Sequence, residues 1–464
     1  MESTRGFTMK ITVNILSALS LLATATPGFG AKPFPRGIID LPSAIAAKAP
    51  IGTIDDHPWL NPNVSGLRIR TGWDNTETAD GVYNWVQIDE SLALAATCGK
   101  FIGLSVGAGI TCPPWLMGGV TFTDGETVVD ETTLTSLTAN FTAADIGRVI
   151  ISTNFPTGTT IVSVTSSTVA RTSEAATKST ITKKPNTFSI LARNPGGAAF
   201  RVLNPASDGV VVVPWDPVAK AKWKRFIIAL AERYDSNPQL QYIGMTGFQK
   251  TGECYLASDQ ADIDFFDASA VAAGYAATDV LPAGLVAWEA TVKEIVAQWM
   301  TSFPNTPLLI TGARPYGGDS QAVGQDAMID IFSWGVATYP GRFGIMNSQL
   351  HATSASGYYL NSWIVDNSLT QPVGIQFLCS GSSDNPDNLA RLSNSPPWGD
   401  DPLLNPYDAV NNSLTLGVSF GCNFIEVYED DVNNPEFQTM LAAQSAALGL
   451  PGPPEAPGNL RIIP

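Results

Sequence analysis

The segment that decides the fold runs from residue 66 to residue 106 and reads "GLRIRTGWDNTETADGVYNWVQIDESLALAATCGKFIGLSV". Its first part alternates apolar residues with arginines, and this period of two predicts a strand over 64–73. Its middle repeats apolar side chains at helical spacing: Trp85, Ile88, Leu92 and Ala95. Its end is an apolar run that predicts a second strand over 100–109. The order strand, helix, strand predicts one βαβ unit of a parallel sheet.

The same unit recurs along the rest of the chain. Further strands are predicted at 50–55, 239–247, 307–313, 343–350, 372–379 and 423–430, with amphipathic segments between most of them. Eight such units predict an α/β protein with a closed (β/α)8 TIM barrel. The alternative is an open doubly wound sheet, which is disfavoured because no GxGxxG turn follows an early strand.

One segment departs from this alternation. Residues 120–212 are rich in Thr, Ser and Val and contain short β-type runs, which predicts a small all-β module inserted after the third strand. Three roles stay open for this module: it could bind polysaccharide, form a wall of the cleft, or serve as structural decoration without a direct function. The predicted barrel therefore comprises 32–119 and 213–450. Residues 451–464 read as a Pro/Gly linker, in which "PPEAPGNLRI" resembles the start of a fibronectin type III domain.

The N-terminal 31 residues have the pattern of a cleavable signal peptide. Arg5 and Lys10 precede an apolar run, and Ala23-Thr24-Ala25 fits a small-x-small cleavage site. This pattern predicts a secreted or extracytoplasmic protein. The five cysteines lack CxxC spacing, and their odd number leaves at least one thiol free of an intramolecular disulfide.

Composition narrows the functional classes. The 464 residues carry a formal charge of −16, which disfavours nucleic acid and anionic membrane surfaces as partners. With two histidines, His57 and His351, and no zinc spacing, no metal site is predicted. The sequence has no dinucleotide or Walker motif, so no cofactor is predicted, and it has no GxSxG elbow of a serine hydrolase.

Candidate site residues lie where the predicted strands end, because barrel enzymes carry their chemistry at that face. Arg68 and Arg70 are predicted to point into the barrel, where a buried arginine requires a carboxylate partner. Glu426 on strand eight has the alternation of an inward residue, and we expect it to pair with one of them. The predicted substrate-binding residues are Arg68, Arg70, Trp73, Tyr255, Arg314, Asn347, Gln349, His351 and Gln376.

The fourth strand leads into "IGMTGFQKTGECYL" (243–256), which presents Glu253 after a turn at Gly252. Two glutamates from different strands, with aromatic residues nearby, favour glycoside hydrolysis, which needs an acid and a nucleophile or base. Glu253 is the predicted acid and Glu426 the predicted second carboxylate. Glu429, or no second carboxylate at all, stays open. A carbohydrate is the predicted partner.

The segment 66–106 resembles the β-galactosidase type of clan A glycoside hydrolases. The resemblance rests on Gly81, Tyr83, Trp85, Asp89, Gly99 and Lys100. "RYDSNPQLQYIGMTGFQKTGE" (233–253) resembles that group's fourth strand, which ends in the acid/base, and the resemblance implies a retaining mechanism. Two positions depart from the family: Gly252 replaces an asparagine, and strand seven carries Gln376 but no glutamate. The alternative is therefore a non-catalytic glycan-binding barrel or surface adhesin.

Overall fold

The computed structural model describes residues 32–42, 58–180 and 186–449. The predicted signal peptide and the predicted linker lie outside these residues. So do the segment 50–55 and His57. In the described part of the chain, none of the helices is both long and apolar enough to cross a membrane.

Eight parallel strands form a closed barrel, as predicted. They are β1 (Gly37–Leu41), β2 (Val64–Gly72), β3 (Phe101–Gly107), β4 (Leu240–Gly244), β5 (Leu308–Gly312), β6 (Phe343–Leu350), β7 (Val373–Phe377) and β8 (Phe424–Tyr428). Each strand pairs with its neighbours in the chain, and β1 closes the barrel by pairing with both β2 and β8. The (β/α)8 TIM barrel is therefore the fold of this protein.

The first strand is not the predicted one. The prediction placed it at 50–55, whereas the barrel uses Gly37–Leu41, where Ile39 aligns with Gly66 of β2 and with Glu426 of β8. The two segments have similar sequences, "GIID" and "GTID". Local pattern does not separate them, because the choice depends on which segment finds a partner strand on each side.

The helices pack around the barrel. They are α1 (Trp73–Thr76), α2 (Val86–Cys98), α3 (Pro217–Tyr234), α4 (Gln260–Ala272), α5 (Ala283–Ser302), α6 (Gln321–Thr338), α7 (Tyr359–Asn367), α8 (Pro386–Ser393), α9 (Pro406–Ser419), α10 (Glu429–Asn433) and α11 (Gln438–Ala447). α3 shows how the sequence starts a helix. Pro217 occupies its first turn, and the Asp216 side chain accepts hydrogen bonds from the backbone N–H groups of Val218 and Ala219.

The residues that carry the family resemblance stabilise this framework. Gly99 ends α2 in the left-handed conformation at φ 65°, and Lys100 donates to the backbone carbonyls of Asn61 and Val64. Asp89 of α2 accepts hydrogen bonds from Arg233 and Tyr234 of α3. The motif is thus a set of contacts between neighbouring βα units.

The segment 120–212 divides into two parts. Its short strands are Val120–Phe122, Glu126–Thr127, Thr133–Thr135, Ile150–Ile151, Ile161–Ser166, Val169–Thr172, Phe188–Ile190, Phe200–Val202 and Val210–Val212. Most buried apolar residues described between 122 and 190 form a separate core around Phe122, Phe141 and Phe188, whereas Val149 packs in the barrel core. Residues from Leu191 to Val213 instead contribute to the core that the barrel shares with its helices.

The barrel interior holds large side chains next to glycines. Tyr242, Met346 and Phe424 pack inside the barrel. A Cβ on Gly103 would lie 2.0 Å from the Tyr242 ring, and one on Gly374 would lie 2.2 Å from Phe424. These glycines therefore provide the space that the rings occupy.

Candidate active site

A cavity of about 540 Å³ opens at the carboxyl ends of β4 to β8. Its lining includes one carboxylate, one guanidinium, four tyrosines and three glutamines: Glu253, Arg314, Tyr255, Tyr358, Tyr359, Tyr428, Gln321, Gln349 and Gln376. No described residue of the segment 120–212 lines it. The cavity lies at the face where barrel enzymes bind their substrates.

Glu253 is held in the cavity wall by backbone pairing. After β4 the chain makes a loop and returns to the edge of β5, where Glu253 pairs with Thr311 and the N–H of Cys254 donates to the Thr311 carbonyl at 2.9 Å. The Thr251 hydroxyl donates to Glu253 Oε2 at 2.8 Å. The half-buried carboxylate keeps its other oxygen free of any protein hydrogen bond among the described residues, and this oxygen is available to a ligand.

The turn before Glu253 depends on a different glycine from the one that the sequence suggested. Gly247 has φ 115°, a conformation that favours glycine, and a Cβ there would lie 2.0 Å from Trp223 Nε1. A Cβ on Gly252 would meet nothing within 4 Å. The interpretation of Gly252 as the residue that permits the turn is therefore wrong.

Arg314 is the cationic side chain of the cavity. Its Nη1 donates to Gln321 Oε1 at 2.8 Å, and its Nη2 donates to Gln325 Oε1 at 3.3 Å. The guanidinium carbon lies 5.4 Å from the centre of the Tyr359 ring, which is a cation–π distance. Neighbouring helix residues and one ring thus orient Arg314 toward the cavity.

Glu426 lies in the barrel interior with no exposed surface. Both of its oxygens accept hydrogen bonds from Arg68 Nη1, at 2.7 and 2.8 Å, and Oε1 also accepts one from the Tyr242 hydroxyl at 2.7 Å. Burial is the largest single influence on the pKa of Arg68 and lowers it, but the charge and hydrogen bond of Glu426, together with Tyr242 and Glu253, outweigh burial, so the pKa is raised overall. Burial, followed by the charge of Glu426, raises the pKa of Tyr242 well above its ordinary value. The pairing predicted from the strand alternation is confirmed.

This pairing changes the expected roles of both partners. Neither Glu426 nor Arg68 lines the cavity, and Arg68 directs its remaining terminal nitrogen to Ser105 Oγ at 2.6 Å. Alternation along a strand predicts which side chains point inward but not how deep they lie in the barrel. We therefore assign both residues to the barrel interior rather than to the substrate.

Four other predicted substrate-binding residues are also not among those that line the cavity. Trp73 is buried among other tryptophans and donates to Glu77 Oε2 at 2.7 Å. Asn347 is buried and donates to Asn361 Oδ1 at 2.8 Å. Arg70 donates to the Pro42 carbonyl at 2.6 Å, and the Thr353 hydroxyl lies 3.3 Å from His351 Nδ1. These polar groups bind other parts of the protein.

Five predicted site residues meet in the cavity: Glu253, Tyr255, Arg314, Gln349 and Gln376. In the part of the chain that the structure describes, no group of three His, Cys, Asp or Glu side chains is arranged to hold a metal ion.

Comparison with known proteins gives fold likeness only. No family model and no curated protein sequence matches the chain. The solved structures that resemble it include the β-amylase catalytic domain of Paenibacillus polymyxa, at 10% identity and a TM-score of 0.44, with 88% of this chain and 98% of that chain covered. An intracellular xylanase of Thermoanaerobacterium saccharolyticum has 10% identity and a TM-score of 0.39, with 85% of this chain and 85% of that chain covered. The β-galactosidase of Marinomonas ef1 has 10% identity and a TM-score of 0.41, with 90% of this chain and 62% of that chain covered.

Several residues that line the cavity are not predicted from the sequence. Tyr358 and Tyr359 stand where α7 begins, Gln321 stands at the start of α6, and Tyr428 ends β8. The signal for the tyrosines was the doublet in "SGYYLN", which lies between a predicted strand and a predicted helix. The Tyr358 hydroxyl donates to Gln349 Oε1 at 3.3 Å, so this doublet orients Gln349, which is one of the predicted substrate-binding residues.

Proposed function

We propose that the cavity binds a carbohydrate and that the protein is a glycoside hydrolase. The observation that carries this proposal is the cavity lining, in which tyrosines and glutamines surround Glu253. Tyrosine rings provide apolar faces on which sugar rings pack, and glutamine amides both donate to and accept from sugar hydroxyls. Such a mixture of rings and a few convergent polar groups is typical of a small-molecule site.

Glu253 is the proposed general acid. A protonated Glu253 donates its proton to the glycosidic oxygen while the bond between that oxygen and the anomeric carbon breaks. A water molecule then bonds to the anomeric carbon and loses a proton to solvent, and the Glu253 carboxylate takes up a proton from solvent to restore the acid. The Gln376 side chain, which lines the cavity, is placed to orient this water through its amide oxygen.

We propose a single displacement rather than the retaining mechanism that the family resemblance implies. Both mechanisms ordinarily use a second carboxylate, but in a retaining enzyme it bonds to the anomeric carbon, whereas in a single displacement it only takes a proton from the attacking water, which solvent can also accept. Glu426 is enclosed in its pair with Arg68, and Glu429, which begins α10, is not among the cavity residues. The anomer released first, followed by NMR, distinguishes inversion from retention.

Carbohydrate binding without hydrolysis is the second candidate function. It is favoured because Glu253 is the sole carboxylate among the described residues that line the cavity. It is also favoured by Gln376, an amide on the strand where the resembled family carries its nucleophile.

The test combines binding and release of reducing ends on a broad polysaccharide panel. With the glycan that binds, we expect Glu253→Gln to lower hydrolysis about 10²- to 10⁴-fold, which is the usual contribution of a general acid. The control Glu436→Gln makes the same chemical change at an exposed site outside the cavity. Binding without release by the unmodified protein would instead establish the second candidate. Equal rates for both variants would refute the role of Glu253.

We also propose that the protein is exported, because the N-terminal 31 residues have the pattern of a signal peptide. Expression of the full chain in a secreting host, with N-terminal sequencing of the product, tests this. Retention of Met1 on a cytoplasmic product would contradict it.

A further inference from the structure

We propose that the carbohydrate is anionic and that Arg314 binds a carboxylate or sulfate group on one of its sugars. This inference rests on the proposed function, since it concerns the ligand of the same cavity. It names a class of substrate that neither the fold nor Glu253 specifies.

The first argument is the missing partner of Arg314. Among the described residues, Arg314 forms no ion pair within 4.0 Å, and its two terminal nitrogens donate to the uncharged oxygens of Gln321 and Gln325. Lys250, on the loop that carries Glu253, is different, because Asp208 accepts from its Nζ at 2.7 Å. The lysine beside the site is therefore paired with a carboxylate, whereas the cavity arginine has no ion-pair partner among the described residues.

The second argument concerns what remains free on the guanidinium. Each terminal nitrogen of an arginine carries two N–H groups, and the contacts with Gln321 and Gln325 use one on each. The remaining N–H groups suit the oxygens of a carboxylate or sulfate, with which arginine forms strong charge-assisted hydrogen bonds. A neutral hydroxyl would pair less strongly with the same donors.

The third argument is the balance of charge during the proposed reaction. Glu253 must carry a proton to act as the acid, and in that state Arg314 is the single charged side chain among the described cavity residues. The whole chain carries a formal charge of −16 and therefore repels polyanions at long range. An acidic sugar thus needs a local cation at its own subsite, and Arg314 supplies one.

The experiment measures binding to acidic polysaccharides and to their neutral derivatives. The probes are polygalacturonate and alginate, each beside its carboxyl-reduced form, and carrageenan and chondroitin sulfate, each beside its desulfated form. Affinity is measured by affinity electrophoresis and calorimetry on the full chain. Arg314→Gln is compared with Arg171→Gln, which removes the same charge from an exposed strand of the insertion and so keeps the net charges equal.

We expect at least one acidic glycan to bind more tightly than its neutral derivative, and Arg314→Gln to weaken that binding about 10- to 100-fold. Arg171→Gln should leave it unchanged. The carboxylate and sulfate probes identify which group is bound. Equal binding of acidic and neutral partners, or an equal effect of the two variants, would overturn the inference while leaving carbohydrate binding intact. A chain that binds none of these probes, and no member of the broad panel, would refute the proposed function itself.

Discussion

Glu253 and Glu426 are the two glutamates predicted to be catalytic, yet their surroundings are opposite. Glu253 is half-buried in a cavity wall, where one hydroxyl contacts it. Glu426 has no exposed surface, and an arginine and a tyrosine donate to it. A residue on a cavity wall can exchange protons with a ligand. A residue enclosed by strong donors stabilises the fold instead, so substitutions at the two sites should have different effects.

We predict that Glu426→Gln destabilises the protein by about 3–5 kcal/mol, because it leaves Arg68 charged and buried without its counter-charge. Urea unfolding followed by circular dichroism measures this. The double variant Arg68→Met/Glu426→Met removes both charges, and it should recover most of the lost stability. A Glu426→Gln variant as stable as the unmodified protein would show that the pair contributes little.

At the scale of the strands, glycines inside the barrel set how closely the strands and side chains approach. We predict that Gly103→Ala destabilises the protein by about 1–3 kcal/mol or more, because the new methyl group would overlap the Tyr242 ring. Gly252→Ala is the matched control. Its methyl group meets open space, so the change should be within about 0.5 kcal/mol. Similar unfolding midpoints for the two variants would contradict this account of the interior.

The loop after β7 is tied to α10 by Asp431. Its Oδ1 accepts from the Ser380 hydroxyl at 3.1 Å and from the Ser382 N–H at 2.7 Å, and its Oδ2 accepts from the Gly381 N–H at 3.0 Å. Burial is the largest influence on this carboxyl and raises its pKa to about 6, although the hydrogen bonds act in the opposite direction.

This raised pKa predicts a pH-dependent stability. The pKa is about 4 in the unfolded chain and about 6 in the fold, so the folded protein binds more protons between these values. The contribution of Asp431 is complete below about pH 4 and is lost as the pH rises through 6, a change of about 3 kcal/mol. Urea midpoints at several pH values measure it. Asp431→Asn removes this titration. The difference in free energy of unfolding between this variant and the unmodified protein should therefore change by about 3 kcal/mol between pH 4 and pH values above 6. A difference that stays constant with pH would contradict the prediction.

The sequence predicted seven barrel strands because each is a short apolar run between turn residues and helical segments. It misplaced the first, because "GIID" and "GTID" are alike and only strand partners distinguish them. In the site, the alternation of side chains along the strands predicted that Arg68 and Glu426 point inward and pair. It did not predict how deep they lie along the barrel axis, and at their depth neither residue lines the cavity. Tyr358 and Tyr359 were missed for a related reason, since their positions depend on where α7 begins.

At the scale of the whole molecule, the insertion has a core of its own, and its ends lie side by side. Val120 pairs with Ile190 in antiparallel register, so the chain enters and leaves this core at neighbouring positions. We predict that replacing residues 121–189 by Asn-Gly, a dipeptide suited to a tight hairpin, leaves a barrel that still unfolds cooperatively. Calorimetry measures the transition.

Deletion of the whole segment 120–212 should have a larger effect. It removes Val211 and its neighbours from the barrel core, together with the Arg201–Asp262 ion pair at 2.8 Å. We expect this variant to lose several kcal/mol or to lose its cooperative transition. Equal melting temperatures for the two deletions would show that residues 190–212 do not support the barrel.

The pair between Arg68 and Glu426 joins residues 358 positions apart, and this separation has a consequence for synthesis. β8 is the last barrel strand to leave the ribosome, so a nascent chain that ends before residue 424 lacks the partner of both β1 and β7. Its incomplete sheet exposes two strand edges, which readily pair with other chains, and its interior arginine has no counter-charge. The period between synthesis of β7 and docking of β8 is therefore when this protein is most prone to aggregate, and when a chaperone would be of most use to it.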